Sequence, residues 1–222
     1  MMKTDPSNLD FEWSQEVWQT AEKLVSPRSG DREEALDTLV EKGAPRNSPL
    51  VAYLLATRIS DPDLEVRFHM IKVLGEMLAG ENSGEYIPDP VLQQLHGFLA
   101  HLNKNQILDM LEIADQYLSS EESLLRILKL CSYAGSVMSG IVNDRKLPIS
   151  IRQRAIYFCG EIGFLETTSV LQRLVQLVEK RNQKQARVPL RKKTQEESKL
   201  YPFAIAALEK LNNEVKRGKK NA

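Results

Sequence analysis

Cysteine is nearly missing from this 222-residue chain: Cys131 and Cys159 are the only two, too few for a disulfide framework or a four-ligand zinc site. Both fall in apolar helical patterns and are expected as buried, reduced thiols. Aromatic residues make up only 6% of the chain; with plentiful Leu, Ala, Glu, Lys and Arg, this is the balance of an all-helical protein, and no sheet is expected. No uninterrupted apolar run approaches the roughly 18 residues that span a bilayer. Met1-Met2-Lys3-Thr4-Asp5-Pro6 carries no apolar signal segment, so the expected location is cytoplasmic and no membrane contact is expected. Histidine is scarce too. Of His69, His96 and His101, the closest two are five apart, which turns their rings roughly 140° around a helix. No metal site is expected, and His69, near an apolar stripe, is expected as a packed, hydrogen-bonded histidine. A Gly-rich phosphate loop, a Gly-x-Ser-x-Gly elbow and a cysteine with a general base nearby in sequence are all missing. Carboxylate pairs such as Glu33-Glu34 and Glu121-Glu122 sit in first helical turns, where the helix dipole accounts for them. No catalytic residue and no cofactor is expected.

Net charge is also lacking, with 30 Lys or Arg against 30 Asp or Glu, but the two signs are not mixed. Residues 180–222 hold thirteen Lys or Arg against four Asp or Glu, leaving 17 against 26 in residues 1–179. A basic tail on a solvated acidic protein accounts for the asymmetry; so does an anionic partner.

What is present is helical periodicity, clearest in the stretch from Asp61 to Leu78. Asp61 is placed to cap its first turn and Pro62 suits the first helical position, while Asp63 and Glu65 put negative charge where the dipole favours it. Val66, Met70, Val73, Leu74, Met77 and Leu78 fall at three- and four-residue spacings, an apolar stripe that must be buried. Upstream, residues 1–8 are expected to fray. A first helix follows with Phe11, Trp13, Val17, Trp18, Ala21, Leu24 and Val25 as its apolar side and both tryptophans as core filling. After Ser26–Gly30, Asp31 opens a second helix through Ala35, Leu36, Leu39 and Val40 to Gly43. A cap at Asn47 or Ser48 starts a largely apolar helix through Leu50, Val51, Leu54, Leu55 and Ile59, expected to be buried on most sides. A third hairpin pairs 91–102 with 106–118. Helix 121–131 follows, kinked or broken at 133–136.

The stretch beginning at Val66 recurs without a gap 85 residues later: Val66 matches Ile151, Arg67 matches Arg152, Met70 matches Ala155, and Gly75-Glu76 matches Gly160-Glu161. An offset of 85 is about twice a repeat of roughly 40–47 residues. Arg32 with Ala35 and Leu39 is a faint earlier copy, and Ala204–Leu211 a degenerate later one. These residues resemble the HEAT-repeat family, whose second helix commonly reads Asp, Val-Arg, a small residue three further on, then Leu-Gly; Asp61, Val66, Arg67, Leu74 and Gly75 follow it closely, and Ile151, Arg152, Ala155 and Gly160 in part. The resemblance implies an all-α, right-handed α-α superhelix of about five stacked antiparallel hairpins over residues 9–216, with a concave binding surface. It also implies that Asp61, Arg67 and Arg152 serve bonds between neighbouring repeats.

The remaining local signal is Lys180–Gln195, with seven basic residues and no acidic one. Pro189 and the loss of periodicity predict a loop insertion over about 182–195, and residues 217–222 form a basic tail. Arg181, Lys184, Arg187, Arg191, Lys192 and Lys193 are the candidates for contact with an anionic partner. The expected function is that of a monomeric, non-enzymatic module that holds a protein partner on the concave face. The alternative is nucleic-acid binding through the basic C-terminal region, as in DNA glycosylases of HEAT-like architecture, although no aromatics interleave the basic run to stack on bases.

Overall fold

The computed structural model describes residues 15–79, 87–184 and 197–220, with side chains described to residue 181 and residue 217 in the last two stretches. Among the described residues every regular element is a helix, and no single helix is long and apolar enough to cross a membrane. The chain divides into two compact units, Met1–Cys131 and Ser132–Ala222.

The first unit opens with α1 (Gln15–Lys23) packed on α2 (Ser29–Glu41). Gly43, at φ 67°, supplies the left-handed turn that ends α2 and leads into the single turn α3 (Ala44–Asn47). Ser48 accepts a hydrogen bond from the Val51 amide and Pro49 takes the first position of α4 (Pro49–Thr57), which closes in a 3-10 turn, Arg58–Ser60. Next come α5 (Leu64–Met77), α6 (Asp89–Leu99), α7 (Lys104–Gln116) and α8 (Glu121–Leu130). Asn103 and Gln106 form a capping box at the start of α7. Leu36, Leu39, Leu55, Met70, Leu74, Leu95, Leu111 and Ile127 are fully buried in this unit; at about 1.5–3 kcal/mol for each large apolar side chain, such burial is the main stabilising term.

Several sequence expectations are corrected in this unit. The cap of α5 is Asp63, which accepts from the amides of Glu65 and Val66 at 3.0 and 3.3 Å; Asp61 is withdrawn into a buried bond with Arg32. Trp18 is 45% exposed and Val25 66%, so Val17 and Ala21 carry the buried side of α1, with Leu24 buried just beyond its end, and Phe11 and Trp13 lie outside the described residues. The α4 helix is less enclosed than its composition implies, since Leu50 and Tyr53 remain exposed. Helix α6 lies chiefly along α4, while α7 packs on the Arg58–Ser60 turn, α5 and α8.

The second unit comprises α9 (Ala134–Asn143), α10 (Ile149–Ile162), α11 (Thr168–Lys184) and α12 (Tyr201–Lys220). Pro148 precedes α10 and Gly163, at φ 88°, ends it. The last helix packs on both α10 and α11 around Ile156, Phe158, Leu171, Ala204 and Leu211.

Candidate functional site

The repeated motif is built into the packing. Val66, Leu74, Gly75, Ile151, Ala155 and Gly160 are all buried, and so are the arginines of the three matching helices, Arg32, Arg67 and Arg152. Arg32 grips Asp61 through Nε at 2.8 Å and Nη2 at 2.7 Å and reaches the Ser26 carbonyl with Nη1, tying α2 to the entry of α5. The bond to Asp61 raises the guanidinium's affinity for its proton, against the effect of burial. Arg67 reaches from α5 to Asp109 and Glu112 of α7 at 3.3 and 3.2 Å. Arg152 donates to the Val142 carbonyl of α9 at 2.9 Å. The two glycines are points of close approach. A β-carbon on Gly75 would overlap Ser123 of α8, and one on Gly160 would stand 2.8 Å from Ala207 Cα of α12. The motif therefore specifies helix contacts and presents nothing to a ligand.

Helix α5 packs on both α2 and α7, and the three are rich in carboxylates. Asp37 of α2 meets His69 of α5 at 3.4 Å, and across the other flank Phe68 stacks on Tyr117 at 4.4 Å. The Tyr117 hydroxyl donates to Glu65 at 2.5 Å, which pushes the phenol pKa up because ionisation would place two anions together. The three helices carry ten carboxylates against four Lys or Arg, and two of those cations, Arg32 and Arg67, are buried. Glu33, Asp37 and Glu41 are exposed and stand one turn apart in a column along α2. Lys42, next in sequence, is taken by Glu16 at 2.7 Å.

Of the six basic residues singled out from the sequence, Arg181 is the one whose side chain is described, and it is committed: Glu197, only 6% exposed, binds Arg181 through one carboxylate oxygen and Arg145, at 2.8 Å, through the other. Lys184 is the last residue of α11, its side chain undescribed. Arg187, Arg191, Lys192 and Lys193 lie outside the described residues.

A third feature escaped the sequence reading. Between α4 and α6 lies a solvent-open hollow of about 380 Å³, where Tyr53 and Phe98 meet edge to face at 5.7 Å, with Gln93, Gln94 and His101 around them. Its signal in the sequence was a helix with no charged residue, Pro49–Thr57, whose Leu50 and Tyr53 recur at a three-residue spacing that one buried face does not require.

The remaining chemistry is quiet. Burial pushes the Cys159 thiol up to about 12, so it is not a nucleophile at neutral pH, and Cys131 is likewise buried. Among the described residues no three His, Cys, Asp or Glu side chains cluster as a metal would require. No family model, curated protein or solved structure matches this chain.

Proposed function

We propose that this chain is a non-enzymatic interaction module whose units are built from HEAT-like helical repeats, and that the first unit holds a positively charged segment of a protein partner against the face of α2, α5 and α7. The repeat reading is supported by the three register-equivalent buried arginines and by two equivalent glycines at helix crossings. The partner reading rests on one observation, the acidic face maintained against local stability. Like charges one turn apart destabilise a helix by about 0.2–0.5 kcal/mol per pair. Glu41, Glu76 and Asp115 each sit in the last turn of their helices with no basic residue there, where the dipole disfavours an anion. Charges kept at such a cost mark a functional surface.

The test is titration of a fluorescent lysine-rich peptide into the protein and into a Glu33→Gln, Asp37→Asn, Glu41→Gln variant. Affinity falls several-fold in the variant while helical content and melting hold, because these side chains bury no core. Equal affinity would sink the proposal.

A second reading is favoured by the charge of the other unit. Residues 132–222 hold eighteen Lys or Arg against eight Asp or Glu, an excess of ten positive charges, which suits a polyanion such as nucleic acid. Changing Arg187, Arg191, Lys192 and Lys193 together to Ser lowers affinity for a DNA duplex and flattens its salt dependence. Unaltered binding by that variant excludes these residues as the contact.

A further inference from the structure

We propose that the hollow between α4 and α6 is a second binding site, independent of the acidic face, that receives an uncharged, proline-bearing extended peptide segment. Four properties of the hollow select that chemistry. No charged Asp, Glu, Lys or Arg lines it, so a charged ligand would be desolvated without a counter-ion. Tyr53 and Phe98 meet edge to face at 88°, forming an aromatic corner against which a pyrrolidine ring can lie, the kind of lining that recognises polyproline II segments. A polyproline II backbone makes no internal hydrogen bonds, so its carbonyls remain available; the Gln93 and Gln94 carboxamides and the Tyr53 hydroxyl are donors of the required kind. His101 is tied through Nδ1 to the Gly97 carbonyl at 3.1 Å. In the neutral ring that nitrogen donates, and Nε2 is left as an acceptor for a peptide N–H.

Gly97 makes the hollow as open as it is. It lies within α6, and nothing stands within 4 Å of the position a β-carbon would take there. Glycine in a helix is destabilising relative to alanine, and no close packing or left-handed backbone accounts for it at this position. The space it leaves is what a ligand would occupy. The volume, about 380 Å³, is at the small end of the ~300–1,000 Å³ of ligand pockets, room for a short stretch of peptide. The exposed Leu50 one turn before Tyr53 extends the apolar contact beyond the corner.

The experiment uses the full chain and a fluorescent, uncharged peptide of Ala-Pro-Pro-Leu-Pro repeated twice, read by anisotropy, with a peptide in which alanine replaces every proline as the control. The proline peptide binds and the alanine peptide binds at least tenfold more weakly. Gly97→Leu fills the hollow and reduces proline-peptide binding at least tenfold, while melting is unchanged or raised, because leucine is the better helix former. Tyr53→Ala also weakens binding. The Glu33→Gln, Asp37→Asn, Glu41→Gln variant binds the proline peptide like the wild type, which separates this site from the acidic face. The proposal is overturned if the wild type does not bind the proline peptide, if the alanine peptide binds equally well, or if Gly97→Leu binds as tightly as the wild type.

Discussion

Arg32 and Asp61 show how much one buried pair can decide. Each is nearly inaccessible, with side-chain exposures of 6% and 0%, and each satisfies the other with two hydrogen bonds, while Asp61 also accepts from the Asp63 amide at 2.9 Å. Removing one partner strands a buried charge, so Arg32→Met or Asp61→Leu alone is expected to cost about 3–5 kcal/mol. The Arg32→Met, Asp61→Leu double variant should recover much of that loss, since no orphaned charge remains. Urea unfolding of the four proteins checks this; additive losses would show that the residues act independently. The crossing glycines provide a second residue-level prediction. Gly160→Ala places a methyl 2.8 Å from Ala207 Cα, and because backbone cannot swing aside, the helices must part at a cost of about 1–3 kcal/mol despite alanine's better helix propensity. Gly140→Ala, with nothing within 4 Å, should be neutral or stabilising. Equal melting temperatures for the two would refute the close-approach argument.

At the scale of the helix, the start of α5 shows how a sequence motif and a structural role part company. Asp61 and Asp63 are two residues apart and either satisfies a cap preference from sequence, but Arg32, 29 residues upstream of Asp61, takes Asp61 and leaves the cap to Asp63. The long-range partner decided it, and no local pattern records such a partner. Asp63→Ala should cost about 1 kcal/mol at neutral pH. Hydrogen bonds from the Val66 and other amides hold the Asp63 carboxyl below its ordinary pKa. Its contribution is therefore complete above the unfolded value of about 3.9 and is lost as pH falls through the lower folded value. The stability gap between wild type and Asp63→Ala should narrow on acidification, measured by urea unfolding from pH 7 down to about pH 2.5; a constant gap would mean that the cap is not the carboxylate. Helical periodicity was legible because it is local: the all-helical character, Gly43 at the end of α2 and the Ser48 cap follow from spacing and capping residues. The packing partners of α6 and α7 were not, since which faces meet depends on contacts dozens of residues apart. The α4–α6 hollow was hidden for a related reason, because an apolar helix reads as buried until the structure shows Leu50 and Tyr53 partly open to solvent.

Over the whole molecule, the zero net charge conceals two strongly charged units. Residues 1–131 hold twelve Lys or Arg against twenty-two Asp or Glu, and residues 132–222 hold eighteen against eight, so the boundary between the units separates −10 from +10. At 0.1 M salt, charges are felt over about 10 Å, a range over which a surface responds to the nearest charges and not to the protein's sum. A chain of zero net charge with evenly mixed signs should pass both kinds of ion-exchange matrix at pH 7. This one is expected to be retained at low salt on a quaternary ammonium matrix through its first unit and on a sulfonate matrix through its second. Changing Arg187, Arg191, Lys192 and Lys193 to Ser leaves the second unit at +6; elution from the sulfonate matrix should move to distinctly lower salt, while elution from the ammonium matrix stays in place or moves later. Flow-through on both matrices would mean that the opposite charges neutralise one another within the protein, and neither the acidic face nor the basic unit would then be free to hold a partner by charge.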